Sequence, residues 1–173
     1  CEVVLAEVHS VELCRQRLVL EDGHLNYDYL ILAAGATHSY FGHDEWAELA
    51  PGLKSVEDAI ELRRRILLAF ESAEYEADQQ AREAAHTFAI VGAGPTGVEL
   101  AGAIKEIAGR TIPEDYRYID TTTTRVLLLE GKDRVLPPYP RELSRRAQRD
   151  LERLGVEVRL NAMVTDITGD GIY

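Results

Sequence analysis

The stretch TFAIVGAGPTGVELAG at residues 87–102 decides the fold of this chain. Its apolar beginning leads into Gly92, Gly94 and Gly97, a GxGxxG pattern followed directly by helix-forming residues. The first glycine of such a pattern permits a tight turn, the second lets a phosphate approach the backbone, and the third lets the helix pack against the strand. A strand, a glycine turn and a helix in this order predict a dinucleotide site.

The helix after the glycines is the expected phosphate ligand. The amides of Thr96 and Gly97 lie in its first turn, where they have no partner inside the helix and where the helix dipole favours negative charge. Pro95 has no amide hydrogen to give to a phosphate, but its fixed φ suits the first helical position. We therefore expect Pro95 to shape the site and its two neighbours to bind pyrophosphate.

Strand and helix patterns alternate in the rest of this half of the chain. This order predicts a Rossmann-type parallel sheet with helices on both faces, and Gly155 stands where a left-handed helix C-cap is expected. The predicted strands are 87–91, 125–130 and 156–160, and the predicted helices are 96–108 and 141–154.

Glu130 ends the second predicted strand, RVLLLE. A carboxylate there can accept hydrogen bonds from the adenosine ribose hydroxyls, and it would repel a 2′-phosphate, which favours NADH. The distance from Gly97 exceeds the usual spacing of about 20 residues, so we expect an insertion at 109–124. Lys132 and Arg134 follow closely and could neutralise a phosphate, which weakens the expected preference for NADH over NADPH. We expect Lys132 to be one of the nucleotide-binding residues.

The first half of the chain has a different pattern. Residues 1–36 predict a β-meander, with Asp22-Gly23 as a hairpin turn, followed by a buried parallel strand over 30–34. Residues 37–86 read as a linker and a helix that begins at the N-cap Ser55. The charged stretch 71–83 is expected to be a solvated helix end. The predicted divisions are thus 1–36, 37–86 and an incomplete Rossmann domain over 87–173.

Composition excludes several classes of partner. The formal charge of −11, from 30 acidic and 19 basic residues, disfavours nucleic acid and anionic membrane surfaces. No segment reaches the roughly 20 apolar residues of a membrane span. Cys1 and Cys14 lack any redox or zinc spacing, and the histidines show no metal-ligand spacing, so ordinary thiols and no metal are expected. A start at Cys1 without a leader pattern predicts a piece of a longer protein.

The motif VGAGPTGVELAGAIKEIA, followed by DYRYID and by RVLLLEGKDRVLPPYPRELSRRAQRDLERLGVEVRLNAMVTDI, resembles the NADH domain of type II NADH dehydrogenases (NADH:quinone oxidoreductases). These belong to the FAD/NAD-linked pyridine nucleotide-disulfide reductase-like superfamily. YDYLILAAGATHSYFG resembles the strand and turn that close the FAD domain, and SVEDAIELRRRILLAFESAE resembles the connecting helix. The resemblance covers about residues 27–168, and the insertion is typical of the family.

The resemblance implies an FAD enzyme that takes hydride from NADH and passes electrons to a membrane quinone. It implies pyrophosphate at Gly92, Gly94, Thr96 and Gly97, the nicotinamide end at Glu99, the ribose at Glu130 and FAD beside Ala34 and Gly35. The motif that holds the ADP part of FAD is absent from the chain, so we expect a catalytically silent piece. The whole enzyme would be cytoplasmic and peripheral on the cytoplasmic face of the membrane.

Two other interpretations remain open. One is another FAD/NAD-linked reductase, with a ferredoxin-type electron acceptor. The other is a non-catalytic NADH-binding module, which needs a nucleotide site and no flavin. Under each interpretation an unfinished sheet has unpaired strand edges, so self-association into a homodimer is expected.

Overall fold

The computed structural model describes residues 2–35 and 37–173, which form two units, Cys1–Thr37 and His38–Tyr173. Cys1, for which an ordinary thiol is expected, and Ala36, the end of the predicted first division, lie outside the described residues. In the described ranges no helix is both long enough and apolar enough to cross a membrane.

The first unit contains the predicted β-meander. Its antiparallel sheet has the order β1-β2-β3, formed by Val8–Glu12, Arg17–Leu20 and Gly23–Asn26. Leu20 pairs with Gly23, so the two-residue turn is Glu21-Asp22, one residue earlier than the predicted Asp22-Gly23. Gly23 begins β3 with a φ of 140°, which glycine adopts without a steric cost. Cys14 lies exposed in the 3-10 turn between β1 and β2.

The buried strand expected over Leu30–Ala34 does not form. These residues belong to no strand, and Ile31 is 90% exposed and Leu32 72% exposed. A parallel strand exists only through hydrogen bonds to its neighbours, and the sheet of the first unit, as far as it is described, consists of β1, β2 and β3. The prediction of a buried strand from this apolar run is therefore wrong: the run forms no strand, and residues 31–34 are exposed.

The second unit contains the predicted parallel sheet. Its strands are β4 (Thr87–Val91), β5 (Arg125–Glu130) and β6 (Val156–Leu160), in the order β4-β5-β6. Ile90, Leu128 and Val158 stand side by side in the register, and they belong to one apolar face that forms the main core. The Rossmann-type prediction is confirmed by this order and this register. A two-stranded hairpin, β7 (Ile167–Thr168) and β8 (Gly171–Ile172), follows the sheet.

The helices are α1 (Val56–Tyr75), α2 (Gln79–Ala85), α3 (Pro95–Glu106) and α4 (Arg141–Leu154). The predicted N-cap at Ser55 is confirmed: its hydroxyl accepts the Asp58 amide at 3.1 Å, and the Asp58 carboxylate accepts the Ser55 amide at 2.9 Å. Such a cap is worth about 1 kcal/mol. Gly155 ends α4 with a φ of 90°, as expected.

Helices on both faces of the sheet were expected, and α3 and α4 instead share one face. Ala101 and Ile104 of α3 and Leu151 of α4 pack in the same core, on the same side of β5. The reason is topological: right-handed crossovers from β4 to β5 and from β5 to β6 move in one direction across the sheet, so both helices fall on the same side.

The insertion forms a second core with the end of α1. Helix α3 continues as a π-helical turn at Ile107–Thr111, and Phe70 packs there against Ala108, Ile112 and Ile119. The Glu74 carboxylate accepts the backbone amides of residues 117, 118 and 119 at 2.8 to 3.1 Å. The prediction that the stretch 71–83 is only a solvated helix end is therefore wrong at Glu74. A charged residue type does not reveal a hydrogen-bond partner that lies 43 residues away in sequence.

Candidate dinucleotide-binding site

The glycine turn, residues 92–97, connects β4 to α3. Gly92 has a φ of 96°, and its amide donates to the Leu129 carbonyl at 2.8 Å, so the turn is joined to the end of β5. A Cβ at Gly97 would collide with the carbonyl oxygen of Gly92, which explains why only glycine lets the helix start so close to the strand. A Cβ at Gly94 would meet nothing within 4 Å, so the turn is open on this side.

Helix α3 begins without a side-chain cap. Gly94 is the N-cap in extended conformation, and Pro95 stands at the first helical position, as predicted. The amides of Thr96 and Gly97 have no acceptor within the helix by geometry, and Val98 is the first residue whose amide donates back, to the Gly94 carbonyl at 3.0 Å. Free amides, an open approach at Gly94 and the positive end of the helix dipole are together the features that anion binding at a helix N-terminus requires.

A cavity of about 880 Å³ lies beside the glycine turn, and neither Glu130 nor Lys132 lines it. The predicted pyrophosphate residues all line it, as do β4, one side of α1, the segment 38–53 and the hairpin β7–β8. Every lining residue belongs to the second unit. The far wall includes the buried Trp46, whose indole nitrogen has no hydrogen-bond partner among the described residues.

Charged side chains in that wall are paired. Arg65 donates to Glu61 at 2.7 Å and to the Glu48 carbonyl at 2.8 Å, and together Arg64 and Arg65 lower the pKa of Glu61 to about 2. His38 lies 3.2 Å from Asp58, whose pKa is lowered first by the backbone amides at the start of α1 and then by this histidine. These contacts hold the wall in place. Open hydrogen-bonding capacity remains at the glycine turn and at the Trp46 indole nitrogen.

The Glu130 carboxylate is hydrogen-bonded to the backbone of the glycine turn. One carboxylate oxygen accepts the Ala93 amide at 2.8 Å, and the other accepts the Lys132 amide at 3.0 Å. Both bonds orient the carboxylate at the end of β5, where a ribose would lie next to a pyrophosphate bound at α3. The Lys132 side chain is exposed. The structure thus brings together the glycine turn, Glu130 and the backbone of Lys132.

The loop between β5 and α4, residues 131–140, also supports the glycine turn, a contribution that no motif in the sequence predicts. The Leu136 amide in this loop donates to the Ala93 carbonyl at 2.7 Å. Ala93 is completely buried, with its amide bonded to Glu130 and its carbonyl to Leu136. The apolar pair Val135-Leu136 within a polar, proline-rich loop was the only available signal.

The other predicted residues lie elsewhere. Glu99 is exposed on α3 and lines a groove of about 360 Å³ between α3 and α4, together with Glu106 and Asp150. Ala34 and Gly35 belong to the first unit, are exposed, and lie outside any strand. The roles predicted for Glu99 and for Ala34 and Gly35 remain predictions.

A parallel βαβαβ sheet, a glycine turn at the start of its first helix and a carboxylate at the end of its second strand define a Rossmann-type dinucleotide-binding protein. The sequence matches the family of pyridine nucleotide-disulphide oxidoreductases over residues 1–172, and the chain belongs to this family.

Known proteins similar to the chain are NADH dehydrogenases and related reductases. The type II NADH:quinone oxidoreductase Ndh of Mycobacterium tuberculosis is 51% identical, over 99% of this chain and 38% of its own length. The structure of NDH2 from Plasmodium falciparum in complex with NADH has a TM-score of 0.76 at 24% identity, over 94% of this chain and 34% of that one. A ferredoxin reductase from Rhodopseudomonas palustris has a TM-score of 0.61 at 18% identity, over 99% of this chain and 36% of that one. The chain thus spans less than two fifths of the relatives' length, and the two structures show the fold alone.

Proposed function

We propose that this chain is the NADH-binding portion of a type II NADH:quinone oxidoreductase, an FAD-dependent NADH dehydrogenase. The observation that carries the proposal is the Glu130 carboxylate, joined at 2.8 Å to the amide of Ala93 inside the glycine turn. This contact joins the ribose-binding and the phosphate-binding parts of a dinucleotide site in one rigid unit. The 51% identity to a type II enzyme over 99% of the chain supports the assignment.

The proposed roles follow the geometry of the turn. The amides of Thr96 and Gly97 donate to the pyrophosphate, Gly94 leaves room for it, and Gly92 and Pro95 shape the turn. Glu130 accepts the ribose hydroxyls with the lone pairs that Ala93 and Lys132 leave available. The exposed Lys132 side chain is free to approach the outer edge of the nucleotide.

The remaining roles belong to the whole enzyme. FAD bound to the whole enzyme would supply the flavin chemistry for hydride transfer from NADH and for electron delivery to a quinone. We assign residues 1–36 to the end of the FAD-binding domain, with Ala34 and Gly35 beside the flavin, residues 37–86 to the connection, and residues 87–173 to the NADH domain. Glu99 is assigned to the nicotinamide end. The enzyme works as a peripheral protein on the cytoplasmic face of a membrane, where its quinone is dissolved.

We also infer that the 173-residue chain associates into a homodimer through β4. In the described sheet β4 pairs with β5 on one side only. The residues of β4 are apolar after Thr87, and Val91 is 48% exposed at its end. An unpaired apolar strand edge is a template for a second strand.

Nucleotide preference tests the main proposal. Calorimetric titration of the unmodified chain should give NADH an advantage over NADPH of at least about tenfold, or about 1.4 kcal/mol, because Glu130 repels a 2′-phosphate. Glu130→Gln should weaken NADH binding and narrow the difference, because an amide group cannot accept both backbone N–H bonds.

Glu114→Gln is the matched control, since it removes the same charge from an exposed position in the insertion. It should change neither affinity. Equal affinities of the unmodified chain for NADH and NADPH would contradict the role of Glu130, and a folded chain that binds neither nucleotide would contradict the proposed function.

A further inference from the structure

Leu136 has a backbone conformation that its sequence disfavours. Its φ is 50°, in the left-handed region that bulky residues rarely adopt. The next residue is Pro137, and a residue before proline is driven toward extended conformations with negative φ. Such a conformation persists only where the surroundings impose it, and residues of this kind concentrate at functional sites.

Contacts on every side of Leu136 impose this conformation. Val135 is completely buried in the main core, and the Leu136 side chain packs against the same core. The Leu136 carbonyl accepts the Tyr139 amide at 2.9 Å and the hydroxyl of the buried Ser144 on α4 at 3.3 Å. The Arg134 guanidinium donates to the Pro137 carbonyl at 2.7 Å. The β5–α4 loop is therefore rigid at the point where it meets the glycine turn.

The backbone amide of Leu136 forms the contact between the loop and the glycine turn. The Leu136 amide donates to the Ala93 carbonyl at 2.7 Å, while the Ala93 amide donates to Glu130 at 2.8 Å. Both polar groups of the residue between Gly92 and Gly94 are thus fixed by β5 and the loop that follows it. Fixing Ala93 fixes the direction in which Gly94 and the first amides of α3 face.

We propose that the β5–α4 loop holds the glycine turn in the conformation that binds pyrophosphate, and that Leu136 is its positioning residue. The inference rests on the proposed NADH function and deepens it: the loop contributes to affinity for the phosphates without touching them. The ribose contact at Glu130 has an additional anchor, the Lys132 amide, so it depends less on Leu136.

The shape of the side chain at position 136 gives a direct test. Leucine and isoleucine have the same atoms, but Leu136→Ile moves the branch of the side chain from Cγ to Cβ. A branch at Cβ makes the left-handed conformation more costly. Leu136→Met is similar in volume and unbranched. Leu127→Ile makes the same exchange in β5, where the extended backbone accepts a branched residue and the side chain is partly buried. The probes are ADP-ribose, which contains a pyrophosphate, and adenosine, which contains none.

Leu136→Ile should weaken ADP-ribose binding about tenfold, the scale of the added backbone cost, and should leave the affinity for adenosine nearly unchanged. Leu136→Met should recover most of the loss, and Leu127→Ile should bind ADP-ribose like the unmodified chain. NMR hydrogen exchange should become faster at the amides of position 136 and Ala93. Faster exchange with unchanged ADP-ribose affinity would overturn the proposal, as would an equal loss for both probes.

Two further outcomes are separable. If Leu136→Ile does not fold, as seen by circular dichroism, Ser144→Ala takes its place, because it removes the hydroxyl from the Leu136 carbonyl; a selective loss for ADP-ribose supports the proposal and no loss overturns it. If the unmodified chain binds neither probe, the proposed function fails by itself. In that case the hydrogen-exchange rate of the Ala93 amide tests whether the loop holds the glycine turn. An unchanged rate at Ala93 in Leu136→Ile would overturn the positioning role of Leu136.

Discussion

Glu99 and Glu130 are both carboxylates near the phosphate site predicted from the sequence, and their surroundings differ. Glu130 accepts two backbone amides and is joined to the glycine turn. Glu99 is exposed on α3 beside the groove that faces α4. An orienting network favours a fixed role in ligand recognition. Glu99 has no such network, and it lies beyond the first turn of α3, where the effect of the helix dipole is weak. The role of Glu99 therefore needs a probe that isolates the nicotinamide.

Comparing NADH with ADP-ribose provides that probe, since ADP-ribose lacks the nicotinamide ring. If Glu99 contacts the nicotinamide end, Glu99→Gln should weaken NADH binding about fivefold, or about 1 kcal/mol for one hydrogen bond, and leave ADP-ribose binding as it is. Calorimetric titration measures both. Glu106→Gln, in the same groove, is the control and should affect neither ligand.

A loss of thermal stability in Glu99→Gln with unchanged affinity for both ligands would establish a structural role on α3 instead. An equal loss for NADH and ADP-ribose would place Glu99 near the pyrophosphate, against the nicotinamide assignment.

At the scale of elements, α1 and the insertion are joined by the Glu74 carboxylate. Three consecutive amides, at Arg117, Tyr118 and Ile119, donate to its two oxygens. Partial burial raises the pKa of Glu74, but the three amides and the charge of Arg117 together lower it by more, so the pKa lies below its ordinary value of 4.5. A lowered carboxyl pKa means that the contact stabilises the folded state at neutral pH and that this contribution is lost as the pH falls below 4.5.

Glu74→Gln should therefore lower Tm by several degrees at pH 7, because one of the two oxygens is replaced by a donor that faces backbone N–H groups. The difference from the unmodified chain should shrink as the pH falls below the ordinary pKa, since protonation then removes the same charge from Glu74. Thermal unfolding followed by circular dichroism from pH 7 to acid measures this, and hydrogen exchange at residues 117–119 locates it.

Glu71→Gln, one turn earlier on α1, is the matched control, because Glu71 accepts one long hydrogen bond from the insertion, from the Tyr116 hydroxyl at 3.4 Å. It should change Tm little at any pH. A Glu74→Gln variant with a pH-independent deficit would show that packing, not the carboxylate charge, joins α1 to the insertion.

For the whole molecule, the two edges of the parallel sheet differ in chemistry. The β6 edge carries Glu157 and Arg159, and Glu157 is bonded to Arg125 at 2.8 Å. Charges of this kind discourage a further strand. The β4 edge carries Phe88, Ala89, Ile90 and Val91 and has no charge in its five residues. Self-association should therefore use β4 and not β6.

Sedimentation velocity should show a concentration-dependent dimer for the unmodified chain, and Ala89→Lys should shift it to monomer because a lysine on an edge strand opposes pairing. Leu25→Lys makes a similar change on β3, an edge strand of the first unit, and should leave the dimer intact. Disruption by Leu25→Lys alone would assign the interface to the first unit, and a monomer at every concentration would refute the dimer.

Local patterns in the sequence were sufficient for much of this protein. The sequence predicts strands β4, β5 and β6, helix α4, the Ser55 cap and the left-handed Gly155. Each of these depends on the periodicity of apolar residues, on a capping residue or on a glycine, and these signals involve only residues close together in sequence. The glycine turn belongs to the same group, since its three glycines satisfy requirements of one short connection.

Tertiary structure alone decided what depends on residues distant in sequence. The missing strand at Leu30–Ala34, the shared face of α3 and α4, the Glu74 contact 43 residues away and the Leu136 bond to Ala93 all depend on partners that no local pattern names. Glu130 lies between the two groups: its residue type and strand-end position follow from sequence, while its bond to a turn 37 residues earlier required β4 and β5 to pair in parallel. The physical reason is that a hydrogen bond or a core contact depends on distance in space, whereas a sequence pattern records only distance along the chain.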